Sequence, residues 1–171
     1  LKQVVVLMNY PFLTDYPSEK SEIGFDGREN KIIFQGILKH GRGLPALIQS
    51  MEKVETGTLE IIGHGELESE LRKLVAAKNL QNLIFFKGKM EWDKMLRETG
   101  KCRAGLVLFQ SHNKNYAHAS PNKFFEYVMT GTPVIASDIV TFQEFNTEFE
   151  VAVLVPPDSI DEISSAIRTL L

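Results

Sequence analysis

The chain has 171 residues, 43% of them hydrophobic and 24% charged, which suffices for one well-cored domain and argues against disorder. Its 19 Lys and Arg against 22 Asp and Glu leave a net charge of −3, which offers no electrostatic footprint for nucleic acid or an anionic membrane. The single Cys102 excludes an internal disulfide and a cysteine-rich zinc module, and fits a reducing compartment.

The first apolar run, residues 3–8, is the first predicted strand. No charged segment with a small-residue cleavage site precedes it, so no signal peptide is expected. The chain opens on Leu1 without an initiator Met and stops at Leu171 inside a helical pattern, so a domain cut from a larger protein is expected. Residues 9–30, with Pro11 and Pro17 and little periodicity, read as a linker. The predicted division is therefore a hinge strand and linker over 1–30 and a folded domain over 31–171.

From Lys31 onward, short runs rich in Val, Ile, Leu and Phe alternate with segments of helical period. Strands are predicted at 31–36, 58–62, 83–86, 105–109, 133–136 and 151–155. Helices are predicted at 44–53, 66–77, 92–98, 121–130, 141–145 and 159–170. Most of the strand runs lack polar alternation, which predicts burial on both faces. Buried strands joined by crossover helices make an α/β, Rossmann-like, doubly wound parallel sheet in three layers, α/β/α. Ligands of such sheets bind beyond the carboxyl ends of the strands. Gly36, Gly63 and Gly88 close three predicted strands there, leaving room for backbone to approach a ligand.

Gly41 to Ala46 matches G-x-G-x-x-A, but the next strand closes on Ile62 and Gly63, without the acidic residue that a dinucleotide site needs. No P-loop and no Asp-x-Asp pair occur. His40, His64, His112 and His118 fall on separate loops, and no metal site is expected from them.

The most informative stretch is AHASPNKFFEYVMTGTPVIASD, residues 117–138. Ser120 followed by Pro121 reads as a helix start, with a hydroxyl N-cap and Pro at the first helical position. Gly131 reads as the helix stop. Helical spacing groups Phe125, Val128 and Met129 on the core, and Asn122, Glu126 and Thr130 on another stripe. The helix N-terminus suits an anion such as a diphosphate. Glu126 admits two readings: a solvated carboxylate, or an acceptor facing a solvent-filled cleft and taking bonds from two vicinal hydroxyls.

SPNKFFEYVMTGTPVIAS resembles the donor-binding signature of retaining glycosyltransferases of the GT-B fold, the glycosyl transferase group 1 kind. KIIFQGILKHGRGLPALIQSM, LEIIGHGELESELRKL and LIFFKGKMEWDKML resemble successive strand–loop–helix units of that family's C-terminal domain. Asn9-Tyr10-Pro11 resembles the hinge that precedes it. The resemblance implies a sugar nucleoside diphosphate donor, UDP- or GDP-linked, and metal-independent retaining transfer with no cofactor. The implied donor site comprises Gly36, Gly88, Lys89, Ser120, Pro121, Asn122, Lys123 and Glu126, with Glu126 on the ribose. In catalytic positions, Arg42 stands in for the family's phosphate-binding Lys. His118 falls where the family has a Glu on the donor sugar, and Ile37 falls where the family often has Arg. Lys39 or Lys123 is then the candidate for the missing charge. The implied partners are the donor, the chain's own N-terminal domain and a carbohydrate or lipid-linked acceptor, with no nucleic acid. The implied location is the cytoplasm, or the inner membrane face for a full-length protein. A sugar-nucleotide epimerase of the same fold and a non-catalytic nucleotide-binding module are the alternatives.

Overall fold

The computed structural model describes residues 24–110 and 121–171. The predicted strand at 3–8 and most of the predicted linker lie outside those residues. Six strands form one sheet in the order β3-β2-β1-β4-β5-β6, every pair parallel. They are β1 (Glu29–Gln35), β2 (Thr58–Ile62), β3 (Ile84–Gly88), β4 (Cys102–Val107), β5 (Val134–Ser137) and β6 (Ala152–Val155). The helices are α1 (Leu44–Ser50), α2 (Glu68–Ala77), α3 (Trp92–Gly100), α4 (Asn122–Met129), α5 (Val140–Phe149) and α6 (Ile160–Leu170). The doubly wound α/β expectation holds.

Alternation along each strand feeds two separate cores. Ile32 and Phe34 of β1, Leu59 and Ile61 of β2, and Ala104 and Leu106 of β4 pack with α1, α2 and α6. Ile33 of β1, Val107 of β4 and Val134 and Ala136 of β5 pack with α4 and α5 on the opposite face. Two-sided burial explains the unbroken apolar runs of β1, β4 and β5. It does not extend to the sheet edges: β3 exposes Phe85 and β6 exposes Val153, because neither has a second neighbour. A buried carboxylate in β2, Glu60, is held by Lys31 and Lys87 from the strands on either side, at 3.4 and 3.3 Å.

Several predicted boundaries move. β1 begins at Glu29, paired with Cys102, so the last residues of the predicted linker belong to the sheet. The guanidinium of Arg28 fixes that entry, donating to the Cys102 carbonyl and Thr132 Oγ1, both at 3.0 Å. The predicted helix at 141–145 runs through Val140–Phe149, and Glu150 ends it in the left-handed conformation.

The chain lays down β1, β2 and β3 in one direction, then returns past β1 to β4 and continues the other way. The crevice between β1 and β4 is thus the topological switch point, where the loops leaving adjacent strands part and open a cleft. Helix α4 roofs this seam through Tyr127, whose hydroxyl accepts from the Gln35 backbone N–H at 3.2 Å. The fully buried Tyr127 ring fits only because β4 carries Gly105 beneath it: a Cβ there would lie 2.5 Å from the ring.

Candidate functional site

A cleft of about 440 Å³ opens at the switch point, lined by Gln35, Gly36, Ile37, Arg42, Met95, Pro121, Asn122, Lys123 and Glu126. Of the sequence-predicted site residues it gathers Gly36, Arg42, Pro121, Asn122, Lys123 and Glu126. Gly88 and Lys89 are not in its wall. They lie at the end of edge strand β3, two strands from β1, and the Gly88 carbonyl accepts from the Gly63 backbone N–H at 2.8 Å. Lys39 does not line it either. Ser120 and His118 lie outside the described residues. Among the described residues no cluster of three or more His, Cys, Asp or Glu is placed to hold a metal. His40 and His64 are exposed.

The loop from β1 to α1 delivers Arg42. Gly36, Gly41 and Gly43 all take positive φ along it, and Gly43 presses on Leu108, where a Cβ would stand 2.6 Å from the Leu108 Cβ. Gln110 N–H donates to the Gly41 carbonyl at 3.1 Å. The loop is thereby clamped to the exit of β4, and the Arg42 guanidinium lies 4.5 Å from the centre of the Phe109 ring. That geometry is a cation–π contact.

Helix α4 delivers the opposite wall. Its N-cap is Pro121, with extended backbone, and the first helical residue is Asn122. The helix start is therefore one residue later than the Ser120 cap expected from sequence. The core-facing set also differs: Phe124, Phe125 and Tyr127 are buried, whereas Val128 is exposed. The helix packs deeper through its Phe124 side, which stacks on Phe142 at 4.8 Å, so Val128 rolls outward.

This roll buries Lys123 and Glu126, each at least nine-tenths covered. The Lys123 ammonium sits over Phe34 at 4.3 Å and Phe109 at 5.5 Å, so it shares the second ring with Arg42. Burial holds the Lys123 amine well below the ordinary lysine range, and the neighbouring Arg42 charge adds to the effect, against the opposing pull of Glu126. Glu126 does line the cleft, but it is buried and hydrogen-bonded rather than a solvated carboxylate. Its Oε2 accepts from Gln35 Nε2 at 2.6 Å and its Oε1 from Trp92 Nε1 at 3.0 Å. Gln35, Trp92 and Met95 are the site residues that the sequence reading missed. Gln35 and Met95 line the cleft, and Trp92 backs its carboxylate.

The cleft thus has a cationic part, with Arg42 and Lys123 around the Gly36 turn, and an acceptor part at Glu126, with the exposed Ile37 side chain between loop and solvent. The cationic part suits a phosphate, and the acceptor part suits a hydroxyl donor.

The family model described as glycosyl transferases group 1 matches residues 15–171. A D-rhamnosyltransferase, WbpZ of Pseudomonas aeruginosa, is 27% identical over 139 residues, covering 81% of this chain and 35% of the relative. The O-antigen chain mannosyltransferase C of Escherichia coli is 26% identical over 143 residues, covering 83% and 37%. The chain spans little more than a third of the length of these two relatives. Among solved structures, Anabaena HepE in complex with UDP and glucose superposes with a TM-score of 0.71 at 17% identity, over 84% of this chain and 39% of that one. Sucrose-phosphate synthase from Thermosynechococcus elongatus also gives 0.71, at 23% identity, over 82% and 36%. These structural likenesses establish the fold. With nearly its whole length matched by the family model, the chain belongs to the glycosyl transferases group 1 family.

Proposed function

We propose that the chain is the C-terminal, donor-binding domain of a retaining GT-B glycosyltransferase, taking a sugar nucleoside diphosphate without a metal ion or other cofactor. The observation that carries this reading is the switch-point cleft, whose wall brings together Arg42, Lys123 and the Glu126 carboxylate. The diphosphate lies against Arg42, Lys123 and the Gly36 turn, and the ribose hydroxyls donate to Glu126. As the bond from the sugar carbon to the diphosphate oxygen breaks, negative charge accumulates on the leaving diphosphate. Arg42, and Lys123 once the diphosphate favours its ammonium form, stabilise that charge from fixed positions in the cleft wall. The sequence lacks the Asp-x-Asp pair that would carry a metal to the same task. The transferase names of the two bacterial relatives favour transfer over epimerisation. The acceptor, a carbohydrate or lipid-linked saccharide, binds largely on an N-terminal domain in the cytoplasm or at the inner membrane face. Among the described residues no helix is long and apolar enough to cross a membrane.

Calorimetry with UDP, GDP and ADP, each with Mg²⁺ and with EDTA, tests the reading. At least one diphosphate is expected to bind, with equal affinity in both conditions. Binding that requires Mg²⁺ overturns the metal-free mechanism, and no binding by any of the three overturns the donor-site assignment.

A further inference from the structure

Glu126 reaches the cleft from α4, but the groups that aim its carboxylate stand on two other elements. Gln35 closes β1 and donates from Nε2 to Oε2 at 2.6 Å, while Trp92 opens α3 and donates from Nε1 to Oε1 at 3.0 Å. The Gln35 amide is itself fixed. Thr99 Oγ1 lies 2.9 Å from Gln35 Oε1, as well as 2.7 Å from the Met95 carbonyl, and the Gln35 backbone N–H is tied to Tyr127. Turning the amide over would set its oxygen against a carboxylate oxygen of Glu126, so the carboxylate fixes which end of the amide faces it.

Among the described residues each Glu126 oxygen takes one side-chain donor, and a carboxylate oxygen can accept a second. A carboxylate locked in this way has lost its rotamer freedom on folding and has none left to lose on binding. Any buried carboxylate needs donors. Here the donors converge from separate elements, one on each oxygen, and the carboxylate they hold lines a cleft.

We infer that Gln35 and Trp92 are positioning residues that set how strongly the cleft prefers a ribose with both vicinal hydroxyls, acting through Glu126. This rests on the donor-site reading above. Trp92 stands behind the carboxylate and does not line the cleft. As the chain's only tryptophan, it also makes the emission of the protein a report on that carboxylate.

Trp92→Phe keeps a ring and removes the N–H, and Gln35→Met keeps the length and removes the amide. For the parent and both variants, calorimetry compares the tightest-binding of UDP, GDP and ADP with its 2′,3′-dideoxy counterpart. The parent is expected to prefer the ribose form. Each variant should lose about tenfold in affinity for the ribose form and less than about twofold for the dideoxy form, so that the preference collapses. In the unsubstituted protein, tryptophan emission should shift with the ribose form and stay fixed with the dideoxy form, a readout that does not depend on either variant folding. Parallel loss for both ligands, or a preference that survives both substitutions, overturns the positioning role alone, and a parent that binds the two forms equally overturns it together with the ribose contact at Glu126. A parent that binds none of the three diphosphates overturns the donor-site reading, and this inference with it.

Discussion

A buried amine beside two phenylalanine rings and a guanidinium is an expensive group to keep, and Lys123 is in that position. Its native-state pKa lies below its unfolded value, so between those two values the unfolded chain binds more protons than the folded one. Stability is therefore expected to rise with pH across that window, and the penalty is fully present below it. Lys123→Met should remove the penalty and raise stability by about 0.5–2 kcal/mol in denaturant titrations at pH 7. The same substitution should abolish most of the diphosphate affinity. A ligand diphosphate reverses the local balance by favouring the ammonium form, so at pH above the ligand-free pKa binding should take up a proton at Lys123. Affinity is then expected to fall as pH rises above the empty-site pKa, and calorimetry in buffers of different ionisation enthalpy reads the uptake directly. A substitution that lowers both stability and affinity would refute this account.

At the scale of elements, the placement of α4 decides the site, and Gly105 decides the placement. A methyl at Gly105 would strike the Tyr127 ring at 2.5 Å, and the helix is anchored there by the Tyr127 hydroxyl beneath the end of β1. Gly105→Ala should cost about 1–3 kcal/mol of overpacking and also displace Lys123 and Glu126. Tyr127→Phe removes only the hydroxyl, which accepts from Gln35 N–H and lies 3.4 Å from the Ile33 and Leu106 carbonyls, and should cost about 0.5–1.5 kcal/mol. Chemical denaturation ranks the two, with the glycine variant the worse. The sheet was legible in the sequence because two-sided burial leaves apolar runs, and a strand such as β5 (Val134–Ser137) needs no tertiary information to be seen. The ends of α4 and α5 were less so, because packing against the Phe124–Phe142 stack, not local propensity, set how the helices roll. Glu126 stood out from its helical stripe and from a family resemblance, whereas its partners lie 91 and 34 residues away and carry no local signature. Gln35 reads as one polar residue ending an apolar strand, and Trp92 as an ordinary first residue of an amphipathic helix.

For the whole molecule, charge is distributed against its sum. The chain is net −3, yet its switch-point cleft presents the Arg42 guanidinium. An anionic ligand thus approaches an anionic protein through a local cationic mouth, and salt screens that attraction. Diphosphate affinity should fall as NaCl rises from about 0.05 to 0.5 M, while affinity for the matching uncharged nucleoside should stay flat; equal slopes would place the phosphates outside the cleft. The loops that follow β1 and β2, next to the cleft, have a second property. Backbone hydrogen bonds continue past the strand ends, from Gly36 to Ile62, Gly63 to Gly88, Leu38 to His64 and Leu67 to Leu38. Gly63 has no room for a side chain, since a Cβ there would sit 1.9 Å from the Gly36 carbonyl oxygen. The loops that would ordinarily be the loosest part of a binding face are in this way stitched into an extension of the sheet. Their amide protons should then exchange with deuterated water on the slow timescale of the strands, so that ligand entry works against a rim already set in shape.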